Sequence, residues 1–303
     1  SLYRRSYGRG FDIVIVDECD LVGRRQASMY QQLFTFLRRA GEGRERRLPI
    51  LGLSATPYRL DSGYLHQGED ALFQSIAYEA PIGGLIERGI LAPLTTREVE
   101  QIDFSDLPVH AGDYQVKAFE EQSTWLAETA RSLAIVQRLA EALRKLVVFA
   151  CSIRHAIAIA EMLNADGMAA VAVHHRMPKQ ERDEAIKGFK EGETRALVSV
   201  DICSRGFNSP NIDCVVSLRP TLSTGRWVQQ IGRAMRAFPG KRDALVLDFS
   251  GNIARHGAIT DILTEIHERP FDRQADNLRR QPQTKLCPTC GHELPSLARQ
   301  CPE

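Results

Sequence analysis

The chain has 303 residues, 43% hydrophobic and 25% charged, with a formal net charge of +1. That size supports two domains of ordinary length plus a small appendage, and the composition is that of globular protein. No apolar run approaches the ~20 residues of a membrane span and no secretory signal pattern opens the chain; the near-zero net charge excludes wholesale capture of nucleic acid, so such binding must use local basic groups in a groove.

The first clear element is the run from Phe11 to Asp20, in which Ile13-Val14-Ile15-Val16 leads into Asp17-Glu18-Cys19-Asp20. An uninterrupted β-branched run suits a strand buried on both faces, as in a parallel sheet. Met29, Leu33, Phe34 and Leu37 then mark one face of a helix. Ile50-Leu51-Gly52-Leu53 is a short strand followed by Ser54-Ala55-Thr56-Pro57, and a helical segment centres on Leu85 and Ile86. Residues 95–122 lose the α/β rhythm and read as a connector.

A helix-rich stretch from Trp125 to Lys145 opens a second unit with five strand candidates: Leu146–Ala150, Ala169–His174, Ala196–Val200, Ile212–Ser217 and Ala244–Phe249. Helices fit between most of them, one beginning near Pro178 with Ile186 and Phe189 on its apolar side. This alternation predicts a parallel sheet with helices on both faces. The fold class is α/β: a first unit over 1–94, the connector, a second unit over 123–268, a linker over 269–284 broken by Pro270 and Pro282, and a tail over 285–303. The first unit shows two strands, too few for an independent sheet, so its remaining strands are expected before Ser1.

The acids after the first strand stand where open α/β sheets bind ligands. One carboxylate there can hold Mg²⁺ while its neighbour deprotonates a water, although a buried strand meeting a polar turn gives the same residues. Ser54 and Thr56 can bridge those acids to whatever moves, or simply form a strand-to-loop turn. Asp201 to Pro210 follows a buried strand, and Gly206 permits close approach of a ligand or a sharp turn. In Gln229-Gln230-Ile231-Gly232-Arg233-Ala234-Met235-Arg236 the arginines are three apart and are expected on one helical face, where two guanidinium groups can neutralise a transferring phosphoryl group or sit as surface cations.

In this order the segments resemble the superfamily 2 helicases and translocases. Asp17-Glu18-Cys19-Asp20 resembles motif II, Ser54-Ala55-Thr56 motif III, Val147–Ser152 motif IV, residues 201–210 motif V and residues 229–236 motif VI. Leu51–Leu60, Leu218-Arg219-Pro220-Thr221 and Leu247–Asn252 are similar to the RadD-like group of bacterial DNA repair ATPases. The resemblance implies two RecA-like domains clasping ATP. Asp17 would hold Mg²⁺, Glu18 activate water, and Asp20, Ser54 and Thr56 couple hydrolysis to closure. Arg233 and Arg236 would reach the phosphates, and Gly206, Asn208 and Gln229 would line the nucleotide. Ser152, Arg154, Arg176 and Thr221 would meet the phosphates of a DNA strand, or RNA, without reading sequence. Val200 and Asn208 replace a threonine and an aspartate common in the family; the amide can hydrogen-bond but carries no charge.

No Gly-x-x-x-x-Gly-Lys-Ser/Thr occurs in the chain. Gly240-Lys241 precedes Arg242 and lacks the upstream glycine, so the phosphate-gripping lysine is expected before Ser1 and the chain alone is expected to turn over no ATP. Cys287-Pro288-Thr289-Cys290-Gly291 has the form of a zinc knuckle, and Cys301-Pro302 that of a second one opening. Cys287, Cys290 and Cys301 are therefore expected to be three ligands of a truncated Zn²⁺ ribbon. The other cysteines read as reduced residues of a cytosolic protein. A restriction-system motor, an RNA helicase and a nucleic-acid-binding scaffold without catalysis are the alternatives.

Overall fold

The computed structural model describes residues 12–22, 29–40, 48–59, 63–67, 71, 73–97, 99–110, 112–140, 145–200, 207–257, 259, 284–286 and 293–295. The chain divides into two units, Ser1–Glu79 and Ala80–Glu303.

In the first unit β1 (Val14–Val16) pairs in parallel with β2 (Ile50–Gly52), with α1 (Met29–Ala40) between them in sequence. Val16, Cys19, Val22, Phe34 and Leu65 form a small core, with Val14, Ile50 and Phe73 packed on it. The expectation that β1 is buried on both faces is corrected here. Side chains alternate across a strand, and the opposite face leaves Ile13 48%, Ile15 59%, Leu51 38% and Leu53 47% exposed. A short antiparallel pair, β3 (Tyr58–Arg59) and β4 (Gly63–Tyr64), follows.

The second unit begins with α2 (Ile82–Glu87) and β5 (Leu94–Thr96). After the hairpin β6 (Val109–His110) and β7 (Asp113–Tyr114) come α3 (Trp125–Ala140), β8 (Leu146–Phe149), α4 (Ile153–Ala165), β9 (Ala170–Val173), α5 (Lys179–Glu191), β10 (Ala196–Ser199), β11 (Cys214–Ser217), α6 (Thr224–Ile231), β12 (Ala244–Asp248) and α7 (Asn252–His256). Six strands form one parallel sheet in the order β5-β12-β11-β8-β10-β9. All five strands read from the sequence are present. β8, β10 and β11 are wholly buried, which is why they appear as unbroken apolar runs. One apolar layer, with Phe119, Val136, Leu146, Ile159 and Phe249, covers one face; the other, with Phe149, Phe189, Ile212 and Trp227, covers the opposite face.

Two of the expected boundaries shift. Residues 80–94 belong to the second unit, because Ile82, Ile86, Leu91 and Leu94 pack on the layer around Trp227 and β5 extends the sheet beside β12. Residues 95–122 are no loose connector, since Ile102, Phe104, Leu107, Val116 and Phe119 are buried in the core. Local caps set the helix ends: Ser152 Oγ accepts the His155 N–H at 3.0 Å, Ser223 Oγ accepts the Arg226 N–H at 3.2 Å, and Gly192 ends α5 at φ 95°. In the tail, β13 (Thr284–Leu286) and β14 (Glu293–Pro295) form an antiparallel hairpin; Cys287, Cys290 and Cys301 lie outside the described residues. No helix among the described residues is long and apolar enough to cross a membrane.

Candidate functional site

In the first unit the acids emerge where β1 ends. Asp17 is exposed and its Oδ1 accepts the Glu18 N–H at 3.0 Å. Glu18 adopts φ 50°, ψ 48°, the one left-handed non-glycine among the described residues. Such backbone costs of order 1–2 kcal/mol and gathers at functional sites. A single 3₁₀ turn, Cys19–Leu21, then carries Asp20 inward, where its Oδ1 accepts the Ser54 hydroxyl at 2.9 Å. Ser54 Oγ also accepts the N–H of buried Thr56 at 3.0 Å. The chain places Ser54 there through the β1–β2 ladder: Leu53 N–H donates to Val16 O at 2.8 Å and Cys19 N–H to Leu53 O at 3.0 Å. Asp20, Ser54 and Thr56 thus come together.

Burial, then the Asp20 charge, pushes the Cys19 thiol up to about 11, so it stays protonated beside the acids. A Cβ on Gly52 would lie 2.5 Å from the Phe73 ring and 2.7 Å from Cys19 Sγ. The glycine is therefore what allows β2 to approach the motif so closely. The exposed Asp17 carboxylate offers the hard oxygen donors that suit Mg²⁺. Among the described residues no cluster of three or more His, Cys, Asp or Glu is placed to hold a metal ion.

In the second unit the two arginines converge, but not as a helical face. α6 ends at Ile231, and Arg233, Ala234 and Met235 continue in tight turns, their N–H groups reaching Gln230 O, Ile231 O and Gly232 O at 3.0–3.3 Å. Ala92 N–H donates to Met235 O at 2.6 Å, and Leu91 bridges to Arg236, so the start of the unit pins this turn. Arg233 Nη1 donates to Phe207 O at 2.9 Å and Arg236 Nη1 to the same oxygen at 3.1 Å, Arg236 also reaching Asn208 Oδ1. Burial lowers the pKa of Arg236 from its ordinary value; a guanidinium stays charged regardless. Gln229 is buried on α6. Gly206 lies outside the described residues.

The expected strand contacts divide. Arg154 is 68% exposed, with its guanidinium 5.2 Å from the Trp125 ring and 4.0 Å from Glu120, and Arg176 is exposed at the end of β9. Ser152 is buried as the α4 cap. Thr221 is fully buried, and its hydroxyl donates to the Asp113 carboxylate at 3.0–3.1 Å. Asp113, which sequence reasoning left in a connector, also accepts the Leu222 N–H at 2.7 Å and Arg226 Nη1 at 3.0 Å. Asn252 completes this network: its Nδ2 donates to Arg219 O and Ser217 Oγ, and its Oδ1 accepts the Thr221 N–H.

Residues 131–238, which hold most of the sheet and both arginines, match the family described as Helicase conserved C-terminal domain. The resemblance to superfamily 2 helicases holds. A Saccharomyces cerevisiae protein provisionally named ATP-dependent helicase IRC3 is 27% identical over 244 residues, covering 79% of this chain and 34% of its own. A fragment of a provisionally assigned HsdR subunit of a type I restriction enzyme from Vibrio vulnificus YJ016 superposes with TM-score 0.59 at 23% identity, over 83% of this chain and 46% of that one. The Mycobacterium smegmatis helicase Lhr, solved with ssDNA and AMP-PNP, gives 0.52 at 21% identity, over 83% and 31%. These two structures show a shared α/β fold. The chain spans 58% and 34% of the lengths of the first two curated relatives it matches.

Proposed function

We propose that the chain belongs to an ATP-dependent nucleic-acid motor of superfamily 2, acting on DNA in repair or recombination in the manner of the RadD-like group. The observation that carries this is the convergence of Arg233 and Arg236 on one backbone oxygen, Phe207 O, inside the helicase domain. Two guanidinium groups held together and released together suit the charge that spreads over a phosphoryl group in transfer. In the first unit Asp17 would hold Mg²⁺, which when bound screens phosphate charge, and Glu18 would take the proton of the attacking water. The Ser54–Asp20 hydrogen bond would pass the change at the acids to β2. Arg154, stacked near Trp125, and Arg176 would meet phosphates of the tracked strand. Cys287, Cys290 and Cys301 would be zinc ligands.

The test is ATP hydrolysis by the full-length protein with single-stranded DNA, with RNA and with neither. DNA stimulation is expected, together with a loss on the order of 10²-fold or more in Glu18→Gln. Stimulation by RNA alone would move the reading to an RNA helicase, and a fully active Glu18→Gln protein would remove the catalytic assignment. The 303-residue chain, with no phosphate-binding loop in its sequence, is expected to turn over no ATP.

A further inference from the structure

Lys241 sits in the loop between the arginine turn and β12, where a Pro-Gly-Lys-Arg run would ordinarily present solvated cations. Its ammonium instead turns inward. It donates to Pro210 O at 3.3 Å and Arg236 O at 3.1 Å, and more closely to Ile212 O and Ala234 O. Four carbonyls thus share three N–H donors. The partners belong to two segments. Pro210 and Ile212 follow Phe207 and Asn208, the acceptors of the arginine pair; Ala234 and Arg236 belong to the turn that carries the pair. Gly240 at φ 79° and the Lys241 N–H to Phe238 O bond at 3.0 Å reverse the chain so that the side chain can reach.

We propose that Lys241 is a positioning residue for Arg233 and Arg236, its ammonium tying the backbone that presents the guanidinium groups to the backbone that receives them. The guanidinium–Phe207 bonds fix the two segments at one end, and Lys241 fixes them at the other. Without it, the four carbonyls lose a shared donor and the turn can slide against residues 207–212. Burial draws the Lys241 pKa down to about 8 while Asp213 and Asp243 push it up, so the ammonium is the majority form at pH 7. The inference rests on the reading of the arginine pair as the charge-neutralising groups of hydrolysis.

Two measurements test the tie in the 303-residue chain. Amine acylation followed by mass spectrometry should label Lys241 about tenfold or more slowly than Lys187, whose ammonium is on the surface; equal labelling overturns the proposal. In Lys241→Met, amide exchange at residues 207–212 and 233–236 should rise together by about tenfold, with Lys241→Arg restoring most of the protection. A change confined to residues beside 241 overturns it. In the full-length protein, Lys241→Met should lower kcat for ATP by on the order of 10²-fold with KM within about twofold, and Lys241→Arg should recover part of the rate. A wild-type protein with no turnover defeats the functional reading; an active wild type with an equally active Lys241→Met defeats the positioning role.

Discussion

His155 makes the second unit acid-sensitive in a way that can be worked out beforehand. It is fully buried on α4, with its ring against Phe119 and Trp125. Nδ1 accepts the Cys151 N–H at 3.2 Å, and Nε2 lies 3.1 Å from Thr129 Oγ1, whose own hydrogen goes to Trp125 O at 2.7 Å. Both ring nitrogens are used by a neutral imidazole carrying its proton on Nε2, and Nδ1 has no place for a second one. Burial accordingly draws its pKa from 6.5 to about 3. Below pH 6.5 the unfolded chain binds a proton there that the folded chain refuses until about 3. The stabilisation is therefore complete above 6.5 and is lost as pH falls toward 3. At pH 5 the loss is about 2 kcal/mol, from roughly 1.5 pH units at 1.36 kcal/mol each. For a unit of this size that is a fall of about 4–8 °C in Tm. Both tryptophans of the chain, Trp125 and Trp227, lie in this unit, so thermal melts followed by tryptophan fluorescence report it alone. His155→Gln keeps a neutral polar side chain and removes the titration. Asp248, whose pKa burial raises, favours folding in acid, and the pKa of His174 is lowered, chiefly by burial; both titrate alike in the two proteins and cancel. The wild type should lose those degrees relative to the variant between pH 7.5 and 5. Equal slopes would refute the reasoning.

Asp113→Ala strips an acceptor from the Thr221 hydroxyl, the Leu222 N–H and Arg226 at once; leaving such donors unmet should cost about 2–3 kcal/mol, read in the same melts, and a loss under half that would mean the hairpin is not tied there. Glu18→Gly removes the left-handed strain of a side-chain-bearing residue at the cost of a more flexible unfolded chain, so urea unfolding of the first unit should show a gain of up to about 1 kcal/mol, while hydrolysis by the full-length protein is lost. Destabilisation by Glu18→Gly would show that the conformation is unstrained.

What was legible in the sequence follows from which forces are local. β8, β10 and β11 are covered on both faces, so every position is apolar and the run announces the strand. β5 is an edge strand with Thr95 and Thr96 exposed, which leaves no run and no alternation to read, and its place beside β12 depends on residues some 150 positions away. The same holds for 95–122. Its buried residues, Ile102, Phe104, Leu107, Val116 and Phe119, follow as a set neither a period of 2 nor one of 3.6, because loops, a hairpin of two-residue strands and a short 3₁₀ helix (Val116–Glu121) supply them in turn.

The site divides along the same line. Asp17, Glu18, Ser54, Arg233 and Arg236 could be singled out as candidates because each group is contiguous and its chemistry is written in residue type. The geometry of the arginines was misread: a spacing of three suggests a shared helical face, yet α6 stops at Ile231 and the pair meets only because a turn, pinned from Leu91 and Ala92, folds both side chains onto Phe207 O. Lys241 and Asp113 carry no such signature. Their partners are backbone atoms or lie about a hundred residues off, and a backbone carbonyl is the same whatever residue supplies it. A lysine that gathers carbonyls looks in sequence like any surface lysine, so groups that hold a catalytic arrangement in place are harder to see than groups that react. Here the cations that would touch phosphate were readable, and the cation that would aim them was not.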